Sequence, residues 1–430
     1  MDTRVIPKVG GKSRMNILMI NNYCVPEIGA ASHLYYYIAK EFVQRGHNIF
    51  YLTGSPRYNM SKDEYKKNLK VGSNCWFEER DGIRIIRVKL PYVDRANFIR
   101  RGIEHFEIAC KLYRYSRSFV TNEKIDATLV YSPPLTLYWT AKQIRKITGA
   151  PFVLNVQDLF PQASIDLGVL KNPLLIRFFR KIESDAYDSA DLITVHSERN
   201  KELVKAFSKN EEKILVLENW IDENEIKPGS KINKFSTEHN LLDKFVVCFA
   251  GTLGVSQDIE IILNAAKQLE DHNDILFLIV GDGPSKESSQ ITAERMGLKN
   301  VLFLPMQPKE VYPNVLNASD VLLVTLEKDV KTPVVPSKIL SSMSAAKPIV
   351  AAMNMDGDGP RLIQRANCGL CVEAGDYKNL ARNIKILYEN PELRNKLGLN
   401  GRKYVEENLS VRIAADKYES LFLELAKRRR

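Results

Sequence analysis

The sequence has 430 residues, 44% hydrophobic and 27% charged, a composition typical of a globular protein with more than one domain. No apolar run approaches the roughly 18 residues that span a bilayer, so no transmembrane segment is expected. The net charge of +10 favours an anionic partner, and because no nucleic-acid-binding motif accompanies it, we expect anionic lipid or a phosphorylated substrate rather than nucleic acid.

The predicted elements alternate between strands and helices from Asn16 onward. An apolar strand at 16–20 leads into a loop with proline and glycine, and a helix runs from there to Arg45. Further strands are predicted in NIFYLTG, IRIIRVKL, ATLVYS, PFVLNVQDLF and LITVHS. Because strands that alternate with helices form parallel sheets, residues 15–225 predict a doubly wound, Rossmann-like domain.

The alternation lapses in a polar stretch at 226–242, which we interpret as a linker, and then restarts. A second Rossmann-like domain is predicted at 243–405, with strands in FVVCFAG, ILFLIVG, VLFLP, VLLVTL, PIVAA and GLCVEAG. Ligands bind at the carboxyl ends of such strands, so two α/β domains are expected to face each other across one cleft.

The final helices, near 391–407 and 411–427, follow the complete second sheet. They must therefore pack on the outside of that sheet or cross back to the first domain. We assign 406–430 to a helix that crosses back.

Two features of the sequence predict the cellular compartment of the protein. The N-terminal MDTRVIPKVGGKSR lacks the apolar core of a secretory signal, and a second methionine at 15 suggests a ragged leader. The six scattered cysteines indicate reduced thiols, since the C-x-x-C of Cys368 and Cys371 lies in a predicted strand without a second pair. We expect a cytoplasmic protein.

Basic and apolar residues recur near helical spacing in 95–119. A basic amphipathic helix of this kind can lie on an anionic membrane, which would place the protein on the inner face of the cytoplasmic membrane. An ordinary packed helix with a solvated basic face is an equally open interpretation.

Glycine-rich loops follow several strands of the second domain. Gly251 and Gly254 come after one strand, and VGDGPSK at 280–286 follows the next. PVVPSKIL then begins a helix, for which we predict Ser337 as the N-cap and Lys338 as a point charge. Because backbone N–H groups at such places bind phosphate, the loops together predict a site for a nucleoside diphosphate.

These loops also carry a family resemblance. The segments GTLG, FLIVGDGPSKESSQ and VPSKILSSMSAAKPIVAA resemble the second domain of retaining, GT-B-fold glycosyltransferases of family 4. PEIGAAS, VYSPPLT, FVLNVQDLFPQ and ENWID resemble the WbuB-like subgroup, which builds O-antigen and capsule repeat units. The resemblance covers Met15 to about Tyr418. It implies transfer of a sugar from UDP or GDP to a lipid-linked or other membrane-borne saccharide, with the nucleotide sugar as substrate and no cofactor.

Carried over to this sequence, the resemblance places the donor pyrophosphate at Gly251, Thr252 and Gly254, with Lys338 as its counter-charge. Helix N-termini and a lysine there would stabilise the nucleotide as it leaves. The residues that would border the nucleoside and its base are Gly283, Pro305, Met306 and Gln307.

The first domain would supply the acceptor side. Glu27, Gly29 and Ala30 correspond to the loop that faces the acceptor and the donor phosphate. Asp158 matches an acidic position near the reacting centre, and Asn219 falls at the expected crevice between the domains.

The sequence departs from the family at two carboxylates. Ser341 stands where the subgroup has a glutamate that hydrogen-bonds the donor ribose, and Pro333 stands eight residues earlier. Gln162 replaces another carboxylate in QDLFPQ. A serine can hydrogen-bond a ribose as a neutral group, with donor binding weaker by about 1–2 kcal/mol. A non-catalytic homologue that acts as a partner of an active transferase is therefore an alternative, and a nucleotide-sugar epimerase is a third.

Two further motifs have plain structural interpretations. MDGDG at 355–359 contains a D-x-D, but aspartates and glycines of this kind are typical of a turn, so no metal is expected. His196 ends a predicted strand and could act as a base, although a hydrogen-bonded structural histidine is favoured.

Overall fold

The computed structural model describes residues 14–27, 29–58, 60–92, 98–166, 168–330 and 333–428. The chain divides into two compact units, one of Met1–Asn219 with Val411–Arg430 and the other of Trp220–Ser410. The predicted leader at 1–13 and residues 95–97 of the predicted basic helix lie outside the described residues. The side chains of residues 30 and 98–101 also lie outside the description.

The first unit is built on one eight-stranded sheet. Its strands are β1 (Asn16–Ile20), β2 (Asn48–Gly54), β3 (Cys75–Arg80), β4 (Ile83–Val88), β5 (Ala127–Ser132), β6 (Phe152–Val156), β7 (Leu192–Val195) and β8 (Ile214–Val216). Its helices up to residue 219 are α1 (Ala30–Gln44), α2 (Lys62–Lys67), α3 (Phe98–Asn122), α4 (Leu137–Thr148), α5 (Gln162–Asp166), α6 (Pro173–Ser189) and α7 (Glu198–Lys205).

The strands of this sheet follow the order β3-β4-β2-β1-β5-β6-β7-β8. All neighbours pair in parallel except β3, which runs antiparallel to β4. The sequence did not predict β3, because Glu78, Glu79 and Arg80 are exposed and interrupt any apolar run. Charged residues of this kind are typical of an edge strand, which they protect from pairing with other chains.

The second unit repeats the architecture with a six-stranded sheet. Its strands are β9 (Phe245–Ala250), β10 (Ile275–Val280), β11 (Val301–Leu304), β12 (Val321–Thr325), β13 (Ile349–Ala352) and β14 (Gly369–Val372). Its helices are α8 (Lys234–Glu238), α9 (Glu260–Gln268), α10 (Lys286–Arg295), α11 (Tyr312–Ala318), α12 (Ser337–Ser344), α13 (Asp358–Arg365), α14 (Tyr377–Glu389) and α15 (Pro391–Tyr404).

The strands of the second sheet are all parallel, in the order β11-β10-β9-β12-β13-β14. The order reverses at β9, where the strand connection changes direction. Ligand sites in open parallel sheets lie beyond the strand ends at such a point. The predicted pair of doubly wound Rossmann-like domains is confirmed.

Residues 226–242, which we interpreted as a linker, pack within the second unit. They contain α8, where Asn233 and Ser236 form a reciprocal capping box and Phe235 is buried. The division between the units falls instead between Asn219 and Trp220. Because polar residues cap α8 at its start, its composition resembles that of a loop, and the buried Phe235 was not recognised from the sequence.

The two final helices separate. α15 stays in the second unit, whereas α16 (Val411–Arg428) belongs to the first, as predicted for the C-terminal helix. The Phe422 ring of α16 lies 6.0 Å from that of Phe42 in α1, and Arg45 pairs with Asp416 at 2.6 Å. None of the helices described combines the length and apolar composition that a bilayer span requires.

Candidate functional site

The loops after β9 and β10 are joined through their backbones. The Leu253 N–H donates to the Asp282 carbonyl at 3.0 Å, and the Ser285 N–H donates to the Leu253 carbonyl at 3.1 Å. Gly283 has a φ of 154°, and a Cβ there would lie 2.3 Å from the Leu253 oxygen. Only glycine therefore permits this approach, which holds two of the predicted donor loops together.

The loop after β11 is fastened to the same place. Asp282 accepts a hydrogen bond from the Met306 N–H at 2.7 Å and pairs with Lys286 at 2.6 Å. These two bonds lower the pKa of Asp282. The structure thus brings the predicted base-side segment, Pro305 to Gln307, beside Gly283 at one edge of the second sheet.

Lys338 lies against the first of these loops. Its Nζ donates to the Gln257 side-chain oxygen at 3.2 Å and lies 4.7 Å from the centre of the Phe249 ring. A Cβ on Gly251, whose φ is 135°, would lie 2.8 Å from the Lys338 Cε. Burial lowers the Lys338 pKa to about 8, and no acidic side chain in the described part of the chain offsets that effect. The half-buried ammonium is therefore placed to bind an anion.

The sequence did not single out Gln257 or Phe249. Gln257 follows the glycine loop within GVSQD, and Phe249 reads as one more core residue of β9. Gln257 could have been found as a polar side chain in a loop already assigned to phosphate, whereas the contact of Phe249 with Lys338 depends on tertiary structure.

The prediction that Ser337 is the N-cap of its helix is wrong. Pro336 holds that position with an extended backbone, and Ser337 is already the first helical residue. An N-cap side chain must reach forward from a non-helical residue to the N–H groups of the first turn, which Ser337 cannot do. No side chain caps α12. The Ile339 N–H donates to the Pro336 carbonyl at 2.9 Å, which leaves the N–H groups of Ser337 and Lys338 at the start of the helix for a ligand.

Ser341 lies one turn further along α12. Its hydroxyl donates to the Ser337 carbonyl at 3.2 Å. Burial raises the pKa of Tyr312 to about 12, so this phenol stays protonated. The Ser341 side chain, which replaces the family's glutamate, is thus half-buried and hydrogen-bonded within the second unit.

Gly254 and Gly283 offer a test of ligand contact in the glycine loops. A Cβ on Gly254 would meet only the Thr252 Cγ2, at 3.9 Å, and the φ of Gly254 is not positive. We expect Gly254→Ala to leave the melting temperature nearly unchanged, because such a substitution costs no more than about 0.5 kcal/mol. It should weaken nucleotide binding by about tenfold or more if a phosphate approaches the backbone there. Calorimetric titration measures the affinity.

Gly283→Ala is the matched comparison, since it strains the backbone and costs roughly 1–3 kcal/mol of stability. Unchanged nucleotide affinity in a stable Gly254→Ala protein would contradict a phosphate contact at this loop.

In the first unit, Glu27 is buried and holds two loops together. Its Oε1 accepts the backbone N–H groups of Arg57 and Tyr58 at 2.9 and 2.8 Å, and its Oε2 accepts that of Cys24 at 2.9 Å. Burial raises the pKa of Glu27, and these three bonds oppose the rise. Glu27 therefore shapes the predicted acceptor loop from inside and does not present its carboxylate to a ligand.

Gly29 and Ala30 lie where this loop enters α1. A Cβ on Gly29 would lie 3.1 Å from Tyr58 Cε1, so the glycine lets the Tyr58 ring approach the backbone. The Tyr58 ring in turn meets that of Tyr23 edge-on at 4.9 Å. Ala30 is the first residue of α1.

Asp158 follows β6 and keeps its side chain accessible to solvent. The surrounding protein still raises its pKa by partial desolvation. The preceding residue, Gln157, exchanges two amide hydrogen bonds with Asn219, at 2.8 and 2.7 Å, and donates to Asn155 at 2.7 Å. Asn219 is therefore engaged with the side chain of Gln157, the residue next to Asp158.

Gln162 and His196 have structural partners. Gln162 accepts a hydrogen bond from Arg180, which also pairs with Glu183 at 2.7 Å. His196 is buried and lies 2.7 Å from the Asn200 amide. The Gln162 amide is therefore part of a hydrogen-bonded group with Arg180 and Glu183. The contact of His196 with Asn200 agrees with the favoured interpretation of a hydrogen-bonded structural histidine.

Cys368, Cys371 and the D-x-D motif are the places where the sequence raised the question of a reactive thiol or a metal site. Burial raises the pKa of both Cys368 and Cys371 to about 12. Across the described residues, no group of three or more histidines, cysteines, aspartates or glutamates is arranged to hold a metal ion. Asp358 of the D-x-D motif lies in the first turn of α13.

Two family models match the chain. "Glycosyl transferase 4-like domain" matches residues 29–220 and "Glycosyl transferases group 1" matches residues 231–404. The matches fall on the first and second units respectively, and together they span most of the sequence.

Individual proteins extend this comparison. Probable glycosyltransferase WbjE of Pseudomonas aeruginosa is 29% identical over 77% of this chain and 82% of its own. The putative colanic acid biosynthesis glycosyl transferase WcaI of Escherichia coli is 22% identical over 86% of this chain and 91% of its own. The solved structure of HepE from Anabaena, in complex with UDP and glucose, superposes with a TM-score of 0.69 at 16% identity, covering 96% of this chain and 100% of that one. At that identity the superposition shows a shared fold.

Proposed function

The chain belongs to the GT-B glycosyltransferases of family 4 that serve polysaccharide biosynthesis, and from this premise we propose that it transfers a sugar from a UDP- or GDP-linked donor. The acceptor is a lipid-linked or other membrane-borne saccharide. The transfer retains the anomeric configuration and uses no metal ion or cofactor.

The observation that carries the proposal is the position of Lys338. Its ammonium is held between Gly251 and Gln257, beside the uncapped start of α12. A pyrophosphate bound there would receive both the lysine charge and helix N–H groups. The UDP in the HepE complex is the kind of ligand that such a site accommodates.

The chemistry needs charge stabilisation on the leaving group. The bond between the anomeric carbon and the β-phosphate oxygen breaks, and a bond from an acceptor hydroxyl oxygen forms as that hydroxyl loses its proton. Negative charge develops on the departing phosphate, where Lys338 and the N-terminus of α12 stabilise it. Asp158 is the acidic residue that the first unit contributes near the acceptor.

Thermal stabilisation by nucleotides tests the proposal. A ligand that binds only the folded protein, at 100 times its dissociation constant, adds about 2.7 kcal/mol of stability. We expect UDP or GDP, and one of their sugars, to raise the melting temperature in a saturable manner, while AMP serves as the control. A folded protein that neither UDP nor GDP stabilises would contradict the proposal.

A non-catalytic partner is the second candidate, and Ser341 is the observation that favours it. Serine is neutral, so the family's ribose carboxylate has no charged replacement at this position, and the Ser341 hydroxyl already donates to the Ser337 carbonyl. Turnover of any donor and acceptor by the unmodified protein would eliminate this candidate. Nucleotide binding without turnover would favour it.

A further inference from the structure

Large apolar side chains project into solvent at the N-terminal end of α6. Leu174, Leu175 and Phe178 are 78%, 48% and 50% exposed, although they lie in the first turns of a helix that buries Ala186 and Tyr187. The outer face of a helix in a globular protein is normally polar.

The exposed apolar surface continues onto α3. Ile103 and Phe106 are 56% and 37% exposed, and the Phe106 ring lies 6.2 Å from that of Phe178. Val169, in the loop before α6, is 53% exposed. We call these six residues the apolar patch: Ile103, Phe106, Val169, Leu174, Leu175 and Phe178. Contiguous exposed patches of this kind mark sites of interaction with proteins or membranes.

The remainder of α3 behaves differently. Ile108 and Leu112 are fully buried in the core of the first unit. The middle turns of α3 therefore pack against the core of the first unit, and Phe106, nearer its beginning, contacts Phe178 of α6. The sequence did not single out α6, because its apolar and basic residues share one face rather than opposite faces.

Positive charge surrounds the apolar patch. Arg177 and Lys181 lie three and seven residues after Leu174, on the same face of α6, and both are exposed. Lys171 is exposed just before the helix. No ion pair joins these three cations to a carboxylate in the part of the chain that the structure describes.

Two carboxylates of α3 near the apolar patch are already paired. On α3, Glu104 pairs with Arg57 at 3.1 Å and Glu107 pairs with Lys111 at 2.7 Å. Asp166, three residues before Val169, is exposed, but Lys171, Arg177 and Lys181 outnumber it. The surface around the apolar patch therefore carries a net positive charge, which complements anionic lipid head groups.

We propose that the apolar patch, with Lys171, Arg177 and Lys181 at its rim, docks the first unit on an anionic lipid bilayer. The apolar side chains enter the boundary between head groups and acyl chains, and the cations contact lipid phosphates. A second copy of this chain fits less well, because a two-fold interface through the apolar patch would bring two positively charged rims together. The proposal deepens the proposed function, since it gives the enzyme access to a membrane-borne acceptor.

Flotation with lipid vesicles tests the docking surface without nucleotide or acceptor. We expect the full chain to float with vesicles of phosphatidylglycerol and phosphatidylcholine, and less with phosphatidylcholine alone. The double substitution Leu174→Ser with Phe178→Ser should lower the partition coefficient by about 30-fold, since it removes two inserted side chains. Leu399→Ser is the matched control, because Leu399 is 64% exposed but lies in the second unit.

Charge is tested separately. Replacing Arg177 and Lys181 by glutamine should weaken binding to anionic vesicles by roughly 5-fold per residue and reduce its salt dependence. Equal binding of wild type and both variants would overturn the proposal. So would a change from dimer to monomer in the Leu174→Ser, Phe178→Ser protein with vesicle binding unchanged. Nucleotide affinity, measured on the same proteins without lipid, reports on the proposed function independently.

Discussion

Replacing Lys338 by methionine is expected to lower nucleotide affinity by about 10- to 100-fold while leaving the protein as stable as before or more so. The loss corresponds to a charge-assisted hydrogen bond of roughly 1.5–3 kcal/mol. Stability does not suffer because the ammonium is half-buried without a carboxylate, and removing such a charge relieves its desolvation. Calorimetric titration with UDP and GDP measures the first effect, and thermal unfolding measures the second.

The pH dependence of binding adds a second readout. The Lys338 ammonium, with a pKa lowered to about 8 by burial, loses its proton as the pH rises through that value. Wild-type affinity should therefore begin to fall above about pH 8, and the methionine variant should lack that decline.

Lys347 supplies the control for Lys338. It follows α12, is also half-buried with a pKa lowered by burial, and donates to the Asn317 carbonyl at 2.9 Å. Lys347→Met should retain nucleotide affinity. If both variants lose affinity equally, the effect is structural and Lys338 is not the anion contact.

Replacing Asp158 by asparagine is expected to lower kcat by about 100-fold or more and to leave nucleotide affinity unchanged. The carboxylate lies in the first unit, whereas Lys338 and the residues assigned to the nucleoside and its base lie in the second. General acid–base or electrostatic roles of single side chains are worth this much. Initial rates with a donor and acceptor, together with nucleotide titration, separate the two parameters.

The sign of the pH effect follows from the raised pKa of Asp158. Partial desolvation favours the neutral acid, so the carboxylate becomes protonated at a pH above the usual range for aspartate. Wild-type kcat should fall as the pH decreases through this value, and the asparagine variant should not show that step. Asp166→Asn, at an exposed position in α5, is the control and should retain its rate.

Buried strands could be predicted well because each is a short apolar run between turn residues. β9, β10 and β12 read this way, and their ends position the glycine loops that the sequence assigned to phosphate. β3 was not predicted from the sequence, because an edge strand needs no apolar run. α8 was not predicted either, because a short helix with two polar capping residues resembles a loop in composition.

The donor loops could be predicted as neighbours, since strand ends of one parallel sheet share an edge. Their individual contacts could not. Whether Ser337 caps α12 depends on whether its own backbone is already helical, and the Lys338 contact with Phe249 depends on packing between β9 and α12. Glu27 matched a position on a ligand-facing loop, yet only the fold reveals that three backbone N–H groups occupy its carboxylate.

The return of α16 to the first unit bears on how the chain is made. Tyr418 and Phe422 are fully buried there, with the Tyr418 hydroxyl 3.0 Å from the Asn155 amide. Domains generally fold as they leave the ribosome, beginning with the N-terminal one. Here the first unit cannot complete its folding before residues 411–428 have been synthesised, and these follow the whole of the second unit. The later domain is therefore the first that can be complete, and the nascent earlier domain keeps Phe42 and Asn155 uncovered until translation has passed Phe422.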